Sequence, residues 1–372
     1  MAMSRNPKSE IRKPTSCSKG KATDILPEQC STSLSPQAFF RSLAKGNPLF
    51  KHYGFIDWAT QGYIAIVGLI IFCARNPRVP SWQAMLAAHG AALLAIHWLI
   101  RSYSRYPASR LLGFLRYYYP ILCYTGFYHE TGLLNQMLYN GYLDAHFLRA
   151  EKWLFGWQPG LELMARYPSR LLSEVLYASY FSYYLMIGGV GLALLLRNRR
   201  QFSHFISVIS FVFYVCYLTY IFTPVVGPRI LCREVVATTL PPDVVPSTPP
   251  TTPLSVEAGF FYRIMAWIYD HFETPGAAFP SSHVAIAVCT LYFSFLYLRS
   301  IRWVHFVVVL LLCISTVYCR YHYVVDVLAG LLTAALLIPL ANRLFFRFGS
   351  TNRNFASRLS NRLLKTSEAA IV

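Results

Sequence analysis

Three short stretches stand at the ends of apolar runs and carry groups able to hold or move a phosphate: TPVVGPR (223–229), FPSSH (279–283) and CRYHYVVD (319–326). Ionisable groups in such places are costly and mark function by default. Together the stretches supply Arg229, Arg320, Ser281, Ser282, His283, His322 and Asp326, which are the parts for phosphoryl transfer. Asp326 follows His322 by four residues, so on a helix the two are neighbours. The carboxylate can then accept one imidazole N–H, fix the tautomer and leave the other nitrogen free to attack phosphorus. The arginines offer forked donors to the phosphate oxygens. Ser281 and Ser282, with the N–H groups opening a helix, face an anion, and His283 can protonate the departing alkoxide. With one carboxylate and no Asp-rich or His-x3-His spacing, neither a metal nor a cofactor is expected. Taken singly, the same residues also read as helix caps, an interhelical polar pair and headgroup anchors.

The elements that must position these residues follow from composition. The chain has 372 residues, of which 55% are hydrophobic and 13% charged, with a mean hydropathy of +0.38. A soluble domain carries about 25% charged residues, so the pattern predicts an all-α polytopic membrane bundle. A hydrocarbon core of about 30 Å needs about 20 helical residues. About eight runs qualify: 57–74, 83–100, 111–128, 171–196, 203–223, 279–298, 303–321 and 324–346, the third weakened by Arg116 and Pro120. The sixth and seventh form a hairpin, so His283 and His322 return to nearly the same depth.

The net charge of +18 suggests a nucleic-acid partner until it is partitioned. With the N-terminus inside, 24 of the 34 Lys and Arg but only 5 of the 16 Asp and Glu lie on inside segments. That is a positive-inside signal, so no nucleic acid is expected. Both termini are then cytoplasmic, and the three clusters lie on the outer side. Residues 130–170 and the segment following the Pro-rich 240–253 suit interfacial helices. There His129, Glu130, Asp144, Glu151 and tyrosines 177, 180, 183 and 184 either line a headgroup pocket or form an aromatic belt. The nine cysteines include no CxxC pair and read as small hydrophobes.

FPSSH and STVYCRYHYVVDVLAG resemble the second and third signature motifs of the type 2 phosphatidic acid phosphatase superfamily. TPVVGPR stands where the first should be, and the order and spacing hold over about residues 115–340. The resemblance implies that His322 forms a phosphohistidine, Asp326 orients it, His283 is the acid and Arg229 binds phosphate without metal. It also implies that six of the eight spans form a phosphatase-like core.

The departures are specific. Phe222 holds the first motif's lysine place, Pro228-Arg229 reverses its Arg-Pro, Ser282 replaces a glycine, and Thr316 stands where an arginine is expected. Arg320, four residues after Thr316, is expected on the same helix face, about one turn nearer the nucleophile. These changes resemble the branch that includes inositol phosphorylceramide synthases, which keeps transfer open beside hydrolysis.

The organisation expected is a disordered cytoplasmic tail (1–52), two N-terminal spans (53–110), a catalytic membrane domain (111–346) and a basic cytoplasmic tail (347–372). The expected activity is cleavage or transfer of a phosphate ester on a phospholipid or sphingolipid. The alternative from another class is a multi-span transporter or scaffold using the same histidine and arginine site.

Overall fold

The computed structural model describes residues 48–74, 79, 81–138, 140–233 and 251–348. The expected N-terminal tail up to residue 47, the basic tail from 349 and most of the Pro-rich stretch lie outside the described residues. The chain divides into residues 1–51, of which only 48–51 are described, with a 3₁₀ turn over Pro48–Phe50, and residues 52–372.

In the second unit every described element is helical apart from one isolated bridge between Val225 and Ala277. The long helices are α1 (Phe55–Ala74), α2 (Trp82–Arg105), α3 (Arg110–Leu134), α6 (Arg170–Arg197), α7 (Arg199–Phe222) and α13 (Val324–Phe348). A shorter hairpin is made by α11 (Ser282–Tyr297) and α12 (Arg302–Tyr318). Five helices, α1, α2, α6, α7 and α13, are long and apolar enough to cross a membrane, and α11 and α12 are shorter apolar helices. α3 is not among the five, although Arg116 and Pro120 do not interrupt it. Leu94, Leu196 and Val304 are 72%, 78% and 70% exposed. Apolar side chains turned outward on helices buried on their other face are what a lipid surface requires.

α7 is the mast of the bundle. It packs against α1, α3, α6, α11 and α13, and its buried residues run almost continuously from Phe202 to Ile221. Polar pins fix this packing, since in hydrocarbon a polar side chain needs a partner. His204 on α7 bonds the Tyr297 hydroxyl at 2.9 Å and Asn342 Oδ1 at 2.6 Å, joining three helices. His305 on α12 bonds Ser294 at 2.6 Å across the hairpin. Asp57 holds Arg116 at 2.5 Å and accepts from the Tyr119 hydroxyl at 2.7 Å. Glu130 pairs with His89 at 3.3 Å, a tie between α3 and α2.

Short helices gather over the hairpin's open end: α4 (Asp144–Phe155), α5 (Pro159–Arg166), α8 (Pro228–Arg233), α9 (Leu254–Glu257) and α10 (Phe260–Phe272). Gly156, at φ +76°, ends α4, and Pro159 opens α5, where a missing N–H costs nothing. Met164 of α5, Val256 of α9 and Met265 of α10 are buried together against Tyr177 and Tyr180 of α6.

α11 and α13 approach so closely that a Cβ on Gly330 would lie 2.6 Å from the Ser281 carbonyl oxygen and 3.1 Å from Val284 Cβ. Gly330→Ala should therefore destabilise the fold by about 1–3 kcal/mol, the range for overpacking. Thermal melting in detergent checks this, and an unchanged melting temperature would contradict the close approach.

Candidate active site

The site is built where α11 and α13 begin. Ser281 is the N-cap of α11 and its hydroxyl accepts from Val284 N–H at 3.3 Å. Its own N–H donates to the Asp326 carbonyl in the first turn of α13 at 3.1 Å. Two helix N-termini are thereby tied side by side, one carrying His283 and the other Asp326. The Ser281 hydroxyl accepts at the cap, which leaves its O–H able to donate, and the residue is fully buried. Ser282, the first residue of α11, is also buried.

His322 lies in the turn between α12 and α13, two residues before α13 begins. The i,i+4 helical relation expected for His322 and Asp326 is thus not what joins them. The turn folds His322 back over the α13 N-terminus, setting Nδ1 3.5 Å from Asp326 Oδ2, a close approach longer than a good hydrogen bond. Asp326 Oδ2 is itself held by Tyr323 N–H at 2.9 Å. The other ring nitrogen, His322 Nε2, faces His283 Nδ1 at 3.2 Å. Burial pushes the His322 imidazole down to about 3, so the ring is neutral across the physiological range.

Two tyrosines that the sequence offered only as belt or pocket residues clasp His283. The rings of Tyr180 and Tyr183 lie 5.0 and 4.5 Å from its ring centroid. Tyr180 stacks on Tyr321 at 4.3 Å, and Tyr321 stacks on Tyr269 at 4.2 Å. Tyr180 and Tyr269 also share a hydroxyl hydrogen bond. The Arg229 guanidinium caps this column, 4.8 Å from the Tyr269 centroid. No periodicity announces the column, because its members come from α6, α10 and the α12–α13 turn.

The two arginines are held by their own partners. Arg229 is ion-paired to Glu273 at 2.5 Å and to Asp270 at 3.3 Å. Arg320 donates to the Thr251 carbonyl at 3.3 Å. Both line one cavity of about 270 Å³, with Tyr321 in its wall, and neither His283 nor His322 is among the lining residues.

Arg320 is not on the helix face of Thr316, as expected, because α12 stops at Tyr318. Arg320 N–H reaches the Val317 carbonyl and Tyr321 N–H the Thr316 carbonyl, each at 3.0 Å, with Arg320 at φ +64°. This is a Schellman ending, with arginine in the left-handed place that glycine commonly takes. Among the described residues no three His, Cys, Asp or Glu side chains converge to hold a metal ion.

A helical membrane bundle with paired histidines, one backed by a carboxylate, defines a class of phosphate-ester enzymes more closely than it does a transporter. The family model described as PAP2 superfamily matches residues 145–340, more than half of the chain. The chain belongs to the PAP2 superfamily, and that membership supports a lipid phosphoesterase. No curated protein and no solved structure matches the chain.

The Arg320 turn generates a stability prediction. A non-glycine residue in this conformation costs about 1 kcal/mol relative to glycine. Arg320→Gly should melt higher than Arg320→Ala, and an equal or reversed order would show that the turn does not impose this conformation.

Proposed function

We propose that the protein cleaves or transfers a phosphate ester of a phospholipid or sphingolipid through a phosphohistidine on His322, with no metal in the reaction. The observation that carries this reading is the orientation of His322, with Nδ1 toward Asp326 and Nε2 toward His283. In the first step the Nε2 lone pair bonds phosphorus, the phosphorus–oxygen bond to the alcohol breaks, and imidazolium His283 gives its proton to the leaving oxygen. In the second, His283 takes the proton of an attacking water or acceptor hydroxyl, and the phosphorus–nitrogen bond breaks. Phosphorus with its leaving oxygen does not fit between nitrogens 3.2 Å apart, so substrate must part the two rings.

Arg229 and Arg320 hold the phosphate in this reading. Arg229 exchanges Glu273 and Asp270 for the phosphate oxygens, one anion for another. Ser282 and the first N–H groups of α11 complete the anion site, while Ser281 shapes it as cap. The cavity shared by the arginines has room for a headgroup or an acceptor but not for a whole lipid. That room favours transfer of an inositol-phosphate-like headgroup beside simple hydrolysis. The positive-inside distribution puts the termini in the cytoplasm and this site on the opposite face, within a catalytic domain spanning 111–346.

The test uses purified protein in detergent with labelled phosphatidic acid or labelled phosphatidylinositol, each with and without ceramide and EDTA. Turnover should persist in EDTA; free phosphate from phosphatidic acid, or inositol phosphate from phosphatidylinositol, identifies hydrolysis and a new labelled lipid identifies transfer. His322→Ala should abolish turnover, and His283→Ala should lower it about 10²–10⁴-fold, the scale of general acid catalysis. Full activity in His322→Ala would overturn the proposal.

A further inference from the structure

Two carboxylates of α4 are buried beside the histidine turn. Asp144 and Glu151 are seven residues apart, two helical turns, and so share one face; they are 2% and 0% exposed. Asp144 accepts from Val226 N–H, Gly227 N–H and the Tyr323 hydroxyl, each at 2.9 Å. Glu151 accepts from Val324 N–H at 2.6 Å and Gly160 N–H at 3.1 Å. Their donors come from the loop leading to Arg229, from the two residues that follow His322 and, for Glu151, also from Gly160 of α5. Glycine allows the approach at both ends: a Cβ on Gly227 would lie 2.7 Å from the Tyr321 carbonyl oxygen, and one on Gly160 3.3 Å from Glu151 Oε2.

We infer that Glu151, with Asp144, is a positioning residue for the nucleophile, holding the backbone of the His322 turn from α4 so that Nε2 keeps its aim. The inference rests on the reading of His322 as nucleophile. A carboxylate suits the task because each of its oxygens accepts an N–H. An amide in its place accepts one N–H and turns its own NH₂ toward the other donor. The charge also suits it: His322 gains positive charge as it bonds phosphorus, and anions packed at the turn favour that change.

Burial pushes the Glu151 carboxyl up to about 7. The charged and titratable groups facing it are Asp326 from α13, Glu162 from α5 and Tyr323 from the turn. The working form is the carboxylate, so wild-type kcat should rise as pH increases through about 7 and fall as Glu151 takes up its proton below that. His322, neutral down to about 3, does not make this limb.

The experiment measures kcat and KM from pH 5 to 9 for wild type, Glu151→Gln, Glu151→Asp, Asp144→Asn and His322→Ala. The probe is labelled phosphatidic acid or phosphatidylinositol in mixed micelles, with melting temperature as the folding control. Glu151→Gln should lose about 10- to 100-fold in kcat, the scale for groups that orient a reactive ligand. KM should be nearly unchanged, and the limb near pH 7 should be absent. Glu151→Asp, which keeps the charge, should keep the limb at reduced rate.

Wild-type kcat and pH profile in folded Glu151→Gln and Asp144→Asn, with His322→Ala inactive, would overturn the positioning role alone. An active His322→Ala would overturn the nucleophile reading and the inference with it. If Glu151→Gln does not fold, Asp144→Asn and Glu151→Asp decide on the same readouts.

Discussion

The meeting of two helix N-termini governs the rest of this structure. α11 and α13 run parallel, and the Ser281 N–H to Asp326 carbonyl bond locks their first turns at one level. Only a residue without a side chain at Gly330 lets them come that close. The positive ends of two helix dipoles then lie at one level, which favours negative charge there. His283 stands in the first turn of one helix and His322 in the turn leading into the other, so this single junction sets the distance between the rings. α12 contributes the return path, and the α4 carboxylates hold the turn from outside.

The arginines are governed by a different balance. Arg229 is largely enclosed and already neutralised by Glu273 and Asp270, with an aromatic ring beneath it. An isolated guanidinium in such a place would be expensive, and the two carboxylates offset that cost. On the proposed reading the comparison for a phosphate is therefore anion against anion, and a ligand bearing more charge than a carboxylate would compete best. Arg320 is held differently, by a backbone conformation that an arginine adopts only when its surroundings impose it.

Much of the fold was legible because apolar run length and charge asymmetry are strong, local signals. The runs at 57–74, 171–196 and 324–346 appear as helices with ends moved by a few residues, since caps such as Ser169 and Asn198 act over one turn. The convergence of His283 and His322 was legible too, because a hairpin of two similar arms returns to its starting level. What stayed hidden depended on backbone turns and on partners distant in sequence. A Schellman ending took Arg320 off the helix face of Thr316, and Ser281 became the cap of α11. Tyr180 and Tyr183 looked like an interfacial belt because nothing in a linear pattern says which aromatic ring faces a histidine. Asp144 and Glu151 looked like pocket residues because their donors are backbone N–H groups, which leave no trace in side-chain identity.

The hairpin of α11 and α12 is short. Its arms of 16 and 17 residues measure about 24 and 26 Å at 1.5 Å per residue, against a hydrocarbon core of about 30 Å. With its closed end at one boundary, marked by Arg299 and Arg302, the open end would stop roughly 5 Å short of the other. On the proposed reading the phosphorus of a substrate lipid would then be drawn below the plane in which headgroups float, under the roof made by α4, α5 and α10. At that depth bulk water would not simply wash a phosphohistidine. Whether water or a lipid hydroxyl completed such a reaction would become a matter of which one could follow the phosphate down.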